Sequence, residues 1–149
     1  MNTGENQKKV VINARHGGFS LSHKAVLRYA EIKGLTLYCD HDGEFSKLLG
    51  PTYWLVPEGE RPEPQDKWHE WDSEQRIASN LAHEKAKLYD RDIPRDDPAL
   101  VQVVEEMGEA ANSRFSSLRV VAIPADVEWQ IEEYDGSEWV AEKHRTWHG

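Results

Sequence analysis

Arg15-His16-Gly17-Gly18-Phe19-Ser20 places two basic side chains, two glycines, an aromatic ring and a hydroxyl in consecutive positions. That is the chemistry of a phosphate site. Backbone N–H groups at the start of a helix lack intrahelical partners and carry partial positive charge. Glycines let a phosphate come close to such groups, while Arg15, His16, Ser20 and Ser22 add side-chain donors. Phe19 could stack on a base, and Asn13, just upstream, could read ribose or base edges. Two familiar phosphate loops are excluded: no Gly-Lys-Ser/Thr closes the run, and the third glycine of the dinucleotide fingerprint is missing. Read structurally, the same residues make a tight turn with a core Phe and a helix cap.

Two further groups carry binding chemistry. His144-Arg145-Thr146-Trp147-His148 sets imidazole, guanidinium, hydroxyl and indole side by side. Arginine forks onto phosphate and tryptophan stacks on bases; the plain alternative is a solvated tail. Arg114 and Phe115 lie in a short loop, 112–117, ahead of an apolar run, where ligand-binding residues often sit; the plain alternative is a surface Arg and a core Phe. Metal chemistry is not expected. His41, Asp42, His69 and His83 show neither H-x-x-x-H nor HExxH spacing, and His83-Glu84 lacks a second histidine. Glu105-Glu106 and Glu132-Glu133 read as solvated faces. Cys39 is the sole cysteine, which excludes an intrachain disulfide and a cysteine-based zinc cage, and it reads as a half-buried strand residue. No nucleophile elbow or Cys–His arrangement demands catalysis, so no catalytic residue and no cofactor are expected.

The elements that must position these residues follow from periodicity. Lys8 opens a strand over 8–13, with Val10, Val11 and Ile12 buried on both faces. A turn over 14–20 leads into a helix over 21–33. Leu21, Ala25, Tyr29 and Ile32 form its stripe beside Val26, Ser20 or Ser22 caps it, and Gly34 ends it. A second strand over 35–39 follows, so the opening is strand, helix, strand; a right-handed parallel crossover fits that order. Asp40-His41-Asp42-Gly43 is turn chemistry. A short strand is expected at 53–56, and 57–72 is a surface loop opened by a Pro-rich run. The helix expected over 73–89 has a thin apolar face of Ile77, Leu81, Lys85 and Leu88. Asp97 and Pro98 start a stronger helix, with Leu100, Val103, Val104 and Met107 as its stripe and Asn112 at its end. A strand over 118–123 is closed by Pro124. Residues 127–134 alternate Val127, Trp129 and Ile131 inward against Glu128, Gln130 and Glu132 outward. Asp135-Gly136 marks a two-residue hairpin turn, with 137–143 as the returning strand. The expected fold is α+β: a mixed sheet of five or six strands, two main helices and a C-terminal antiparallel hairpin. The whole of 1–149 reads as a single domain, with 1–7 polar and flexible.

The chain carries a formal net charge of −9. That charge repels phosphate backbones and anionic lipid, which argues against general nucleic-acid or membrane binding while leaving room for a local basic pocket. No apolar run approaches the ~20 residues of a membrane span, and no signal-peptide core follows the first residues; the expected location is the cytoplasm. Six tryptophans in so acidic a chain, together with the thin helix over 73–89, suggest surface covered by a homo-oligomer, a dimer or higher.

Two blocks carry a resemblance. One is Val10-Val11-Ile12-Asn13 with Gly17-Gly18-Phe19-Ser20-Leu21-Ser22 and Ala25; the other runs from Arg91-Asp92-Ile93-Pro94-Arg95-Asp96-Asp97-Pro98-Ala99-Leu100 to Trp147. Within the second, Gly108-Glu109-Ala110-Ala111-Asn112, Val127-Glu128-Trp129, Ile131-Glu132-Glu133-Tyr134-Asp135-Gly136 and Glu142-Lys143-His144-Arg145-Thr146-Trp147 look like small proteins encoded widely by bacteriophages. The set is similar to the Thoeris anti-defence proteins, which sequester cyclic ADP-ribose-type signals made by bacterial TIR enzymes and are oligomeric. The resemblance implies a nucleotide sponge in the host bacterial cytoplasm, an immune-evasion protein that binds a cyclic ADP-ribose-type or cyclic-oligonucleotide signal without cleaving it. Its pocket would draw on Asn13, Arg15, His16, Gly17, Gly18, Phe19, Ser20, Arg114, Phe115, His144, Arg145 and Trp147. Two rivals remain. One is a phosphodiesterase-like enzyme with His16 or His144 as general acid/base; the other is an acidic decoy that binds a host defence protein.

Overall fold

The computed structural model describes residues 7–40 and 51–143. Of the start expected to be flexible, residues 1–6 lie outside the described residues and Gln7 opens β1; most of the turn Asp40-His41-Asp42-Gly43 and the tail with His144, Arg145 and Trp147 also lie outside them. In chain order the elements are β1 (Gln7–Asn13), α1 (His23–Lys33), β2 (Tyr38–Asp40), β3 (Thr52–Trp54), α2 (Ser73–Ala86), α3 (Pro98–Met107), β4 (Leu118–Pro124), β5 (Trp129–Tyr134) and β6 (Ser137–Glu142). They fall into two compact units, Met1–Tyr29 with Ile93–Gly149, and Ala30–Asp92.

In the first unit, β1 pairs antiparallel with β4, Asn13 facing Leu118 and Val11 facing Val120. Val10, Val11 and Ile12 are buried, as a run of apolar residues requires. Helix α3 lies on this pair and buries Leu100, Val103 and Val104. Asp97 caps α3, its carboxylate accepting from Ala99 N at 2.8 Å, with Pro98 at the first helical position. Tyr29 donates its hydroxyl to the other Asp97 oxygen at 2.7 Å in the buried interior. Burial, then the Asp97 carboxylate, pushes that hydroxyl well above the usual tyrosine range. Ser22 is the residue that caps α1, accepting from Ala25 N at 3.1 Å, so the helix starts at His23 rather than Leu21.

The fold is α+β, with three α-helices among the described residues, but the expected mixed sheet of five or six strands does not form. Among the described residues six strands make three two-stranded antiparallel pairs, β1 with β4, β2 with β3, and β5 with β6. The edge of β1 away from β4 explains much of this. Val11 N donates to the Arg95 carbonyl at 2.8 Å, and Asn13 N donates to the Glu138 carboxylate at 2.8 Å. Loop and side-chain acceptors thus take the groups that a further strand would need. The expected parallel crossover fails for the same reason, and β2 pairs with β3 instead.

The second unit is built on β2 and β3, with Cys39 opposite Tyr53. Residues 35–37, expected as strand, have no ladder partner; the Leu35 N–H closes the end of α1 on the Ala30 carbonyl, after Gly34 at φ +72°. Cys39 is half-buried in β2 as expected, and burial raises its thiol pKa. Burial also pushes the Tyr53 hydroxyl up to about 12, with smaller contributions from Cys39 and Asp90. Asp72 caps α2 in a reciprocal box with Gln75, each side chain accepting from the other's backbone N–H. The helix ends at Ala86, short of the expected Tyr89, because the chain turns extended and joins β3. Leu55 N donates to the Ala86 carbonyl and Leu88 N to the Tyr53 carbonyl. The thin apolar face of α2 is exposed at Ile77 and Leu81.

Candidate functional site

Asn13 organises the Gly-Gly turn from beneath. It is 0% exposed. Its Nδ2 donates to the Arg15 carbonyl at 2.6 Å and to the Gly136 carbonyl at 2.8 Å. Its Oδ1 accepts from Arg15 N at 3.3 Å and from Ser117 N at 2.9 Å. One amide therefore ties together the turn, the tip of the β5–β6 hairpin and the entry to β4. An Asn that closes a buried strand has no water for its amide, and full pairing is the condition for burying it.

The hairpin tip closes on the turn. Asp135 at φ +50° and Gly136 at φ +88° make the two-residue turn that a right-twisted ribbon favours. A Cβ on Gly136 would lie 2.6 Å from Gly18 N and 2.7 Å from Gly17 N. Gly17 is confined on another side, where a Cβ would lie 2.6 Å from the Phe115 carbonyl oxygen. A Cβ on Gly18 would meet nothing within 4 Å. The glycines thus admit the protein's own loops to the backbone, and the turn lies five residues ahead of α1 rather than on its first turn. Among the described residues no acceptor pairs with the N–H of Gly17 or Gly18.

A second layer fixes the position of the hairpin. Arg95 forks onto Glu138, Nη1 to Oε1 at 2.5 Å and Nη2 to Oε2 at 2.9 Å, and both side chains are largely buried. The same guanidinium lies 3.6 Å from the centre of the Phe19 ring. Phe19, expected to stack on a ligand or fill the core, is covered by Arg95. Ser20 forms a very short hydrogen bond with Ser113, and Ser116 donates to the Ser20 carbonyl at 2.7 Å. Ser113 and Ser116 also hold the 112–117 loop in shape, Ser113 N donating to Ser116 Oγ and Phe115 N to Ser113 Oγ.

What remains at the surface is a cationic and aromatic rim. Arg15, His16 and Arg114 are exposed, and Phe115 is 50% exposed. Arg15 donates to the Arg114 carbonyl at 3.2 Å, which brings the two loops together. Arg114 lies 5.5 Å from the Phe115 ring. Neither guanidinium is paired with a carboxylate among the described residues. His16 Nδ1 lies 3.2 Å from the Asp135 carbonyl; a carbonyl only accepts, so that nitrogen carries the proton. The His16 ring meets Tyr134 edge to face at 6.3 Å, and Tyr134 is 73% exposed.

The structure therefore brings together Asn13, Arg15, His16, Gly17, Gly18, Phe19, Ser20, Arg114 and Phe115. Sequence reasoning missed Tyr134, Arg95 and Glu138. Asp135-Gly136 was legible as a turn, but its seat on Gly17 and Gly18 is a contact between distant segments that no local pattern announces. Among the described residues no three His, Cys, Asp or Glu side chains gather as metal ligands would, and no helix is long and apolar enough to cross a membrane. No family model, curated protein or solved structure matches this chain.

Proposed function

We propose that this chain is a phage immune-evasion protein that binds and sequesters a small nucleotide signal, of cyclic ADP-ribose or cyclic-oligonucleotide type, without cleaving it. The observation that carries the reading is the rim around the Gly-Gly turn: two exposed arginines with no carboxylate partner among the described residues, beside two exposed rings, in a chain of net charge −9. Arg15 and Arg114 supply forks for a pyrophosphate, and Phe115 and Tyr134 supply faces for a base. Rigidity supports tight binding, because loops already held by Asn13 and by the Arg95–Glu138 fork lose little freedom on meeting a ligand. The sequence resemblance to phage anti-defence proteins supports the same reading. Exposed Ile77 and Leu81 on α2 support a homo-oligomer.

A nucleotide panel read by thermal shift tests this. A ligand at 100 times its Kd stabilises by about 2.7 kcal/mol and raises Tm visibly. Affinity should fall as salt rises, and Arg15→Ala with Arg114→Ala should weaken binding at least ~tenfold, the scale of one lost charge-assisted hydrogen bond. Heat denaturation of the complex should return the nucleotide intact. A panel without a hit overturns the reading, and recovery of cleaved nucleotide converts it to the enzyme. Light scattering that gives a monomer mass removes the oligomer.

A further inference from the structure

Among the described residues, three buried side-chain atoms have no hydrogen-bond partner, and all three lie around one ring: Trp54 Nε1, Arg61 Nε and His83 Nδ1. Trp54 and His83 are 8% and 7% exposed. Buried polar groups are costly to leave unpaired, so three together need a cause. Charge gathers at the same place. The Arg61 guanidinium lies 4.9 Å from the centre of the Trp54 ring and the Lys87 ammonium 4.7 Å from it. The His83 ring lies 5.8 Å away. Neither Arg61 nor Lys87 is paired with a carboxylate among the described residues, and both are half-buried. Burial lowers the Lys87 pKa, as it must for a cation without a counter-ion.

The backbone builds this cluster. Trp54 and Lys87 are bridge partners, flanked by the hydrogen bonds Leu55 N to Ala86 O and Leu88 N to Tyr53 O. That makes them a non-hydrogen-bonded antiparallel pair, the kind whose side chains stand closest. His83, on the last turn of α2, donates from Nε2 to the Glu63 carbonyl at 3.0 Å. That bond fixes the tautomer, since a carbonyl cannot donate. In the neutral ring Nδ1 is then a bare acceptor.

We propose that the second unit holds a phosphate site around Trp54, formed by Arg61, His83 and Lys87, and that its preferred occupant is an oxyanion still carrying a proton. The unpaired groups are two donors, the Trp54 and Arg61 N–H, and one acceptor, His83 Nδ1. Hydrogen phosphate offers the complementary set: bare oxygens for the two N–H groups and a P–OH for the imidazole nitrogen. Its charge neutralises Arg61 and Lys87, whose long half-buried side chains part to admit it. Sulfate matches the charge but has no proton to give, so His83 Nδ1 discriminates against it. This site uses none of the residues of the Gly-Gly rim and is independent of the function proposed for it.

The indole N–H of Trp54, assigned by its disappearance in Trp54→Phe, reports directly on the site in isotope-labelled full-length protein. Inorganic phosphate at neutral pH should shift that resonance in a saturable way. It should bind at least tenfold more tightly than sulfate, and Arg61→Gln or Lys87→Met should weaken it at least tenfold. Glycerol phosphate, run in parallel, is mostly a dianion without a P–OH at neutral pH and should bind as weakly as sulfate; binding as tight as that of inorganic phosphate would overturn the role given to His83 Nδ1. Arg15→Ala with Arg114→Ala should leave this titration unchanged, so failure here and failure at the rim are read apart. An indole signal unmoved by inorganic phosphate overturns the proposal, as does equal affinity for phosphate and sulfate. The wild-type titration decides the matter even where a variant fails to fold.

Discussion

Asn13 and Trp54 are both buried, and each carries a polar side-chain group shielded from water, yet their surroundings treat them in opposite ways. Around Asn13 every side-chain hydrogen-bonding atom has a partner, and the Arg95–Glu138 fork beside it is equally complete. Around Trp54, among the described residues, two donors and an acceptor are left over and two cations have no carboxylate partner. The difference teaches how to tell a scaffold from a receptor. A satisfied polar network has no remaining valence for a ligand and specifies geometry instead. An unsatisfied one under a lid of cations has both the need and the charge to bind. By this criterion Asn13, Phe19 and Ser20, expected from the sequence as ligand contacts, have their polar groups and ring engaged within the first unit, and the binding surface proposed for that unit is the rim beside them.

The largest expected effect tests the completeness of the first network. Glu138→Ala strands the Arg95 guanidinium and removes the acceptor of Asn13 N, and should destabilise the protein by about 3–4 kcal/mol, measured by denaturant unfolding. Trp54→Phe removes a donor that had no partner, so its cost should be packing alone, about 1 kcal/mol. Equal costs would break the comparison.

The glycines sharpen it at the next scale. Gly17→Ala meets the Phe115 carbonyl and also carries a strained φ of +137°, whereas Gly18→Ala carries a φ of +103° into open space. We expect a loss of about 3 kcal/mol for Gly17→Ala and about 1 kcal/mol for Gly18→Ala by thermal unfolding. The reverse order would mean that the Phe115 loop does not close on the turn.

The smallest effect lies at the surface between α1 and α3. Hydrogen bonds from Arg28 and then Gln102 hold the Glu106 carboxyl at about 2, below its ordinary 4.5. A depressed carboxyl pKa stabilises the fold above the unfolded value and loses that contribution as the proton binds. The stability gap between wild type and Glu106→Gln should therefore be greatest above pH 4.5 and close as pH falls toward about 2. Because the pair is exposed, the gap should be small and should shrink in salt. A gap that grows on acidification would contradict the assignment.

Features set by near neighbours were legible in the sequence. Asp135-Gly136 needs only its own backbone chemistry to make a hairpin, and Asp97-Pro98 needs only the free N–H groups of the next turn to start a helix. The capping box of α2 is local too, Asp72 standing three residues ahead of Gln75. Features set by distant partners were not legible. Nothing near Val11 says that Arg95 will cover its edge, and nothing near Glu138 marks it as the acceptor for both Arg95 and Asn13. The single sheet failed on those two contacts. The candidate site was half legible: the Gly-Gly turn and Arg114 could be named from residue type, but which side chains face inward depends on a hairpin tip from far along the chain.

The pairing of β1 with β4 also imposes an order of assembly. The second unit is continuous in sequence, so its strand pair and α2 are complete once Asp92 has been made. The first unit is interrupted by it, and Val10, Val11 and Ile12 emerge early with no strand to receive them until Leu118–Pro124 is synthesised. During that interval the nascent chain exposes an apolar strand whose edge is later covered by Arg95 and Glu138, which are also made late. Slow closure over a long separation and transient adhesiveness of β1 follow from one topological choice. Closing β1 on β4 therefore waits until the whole of the second unit has been made.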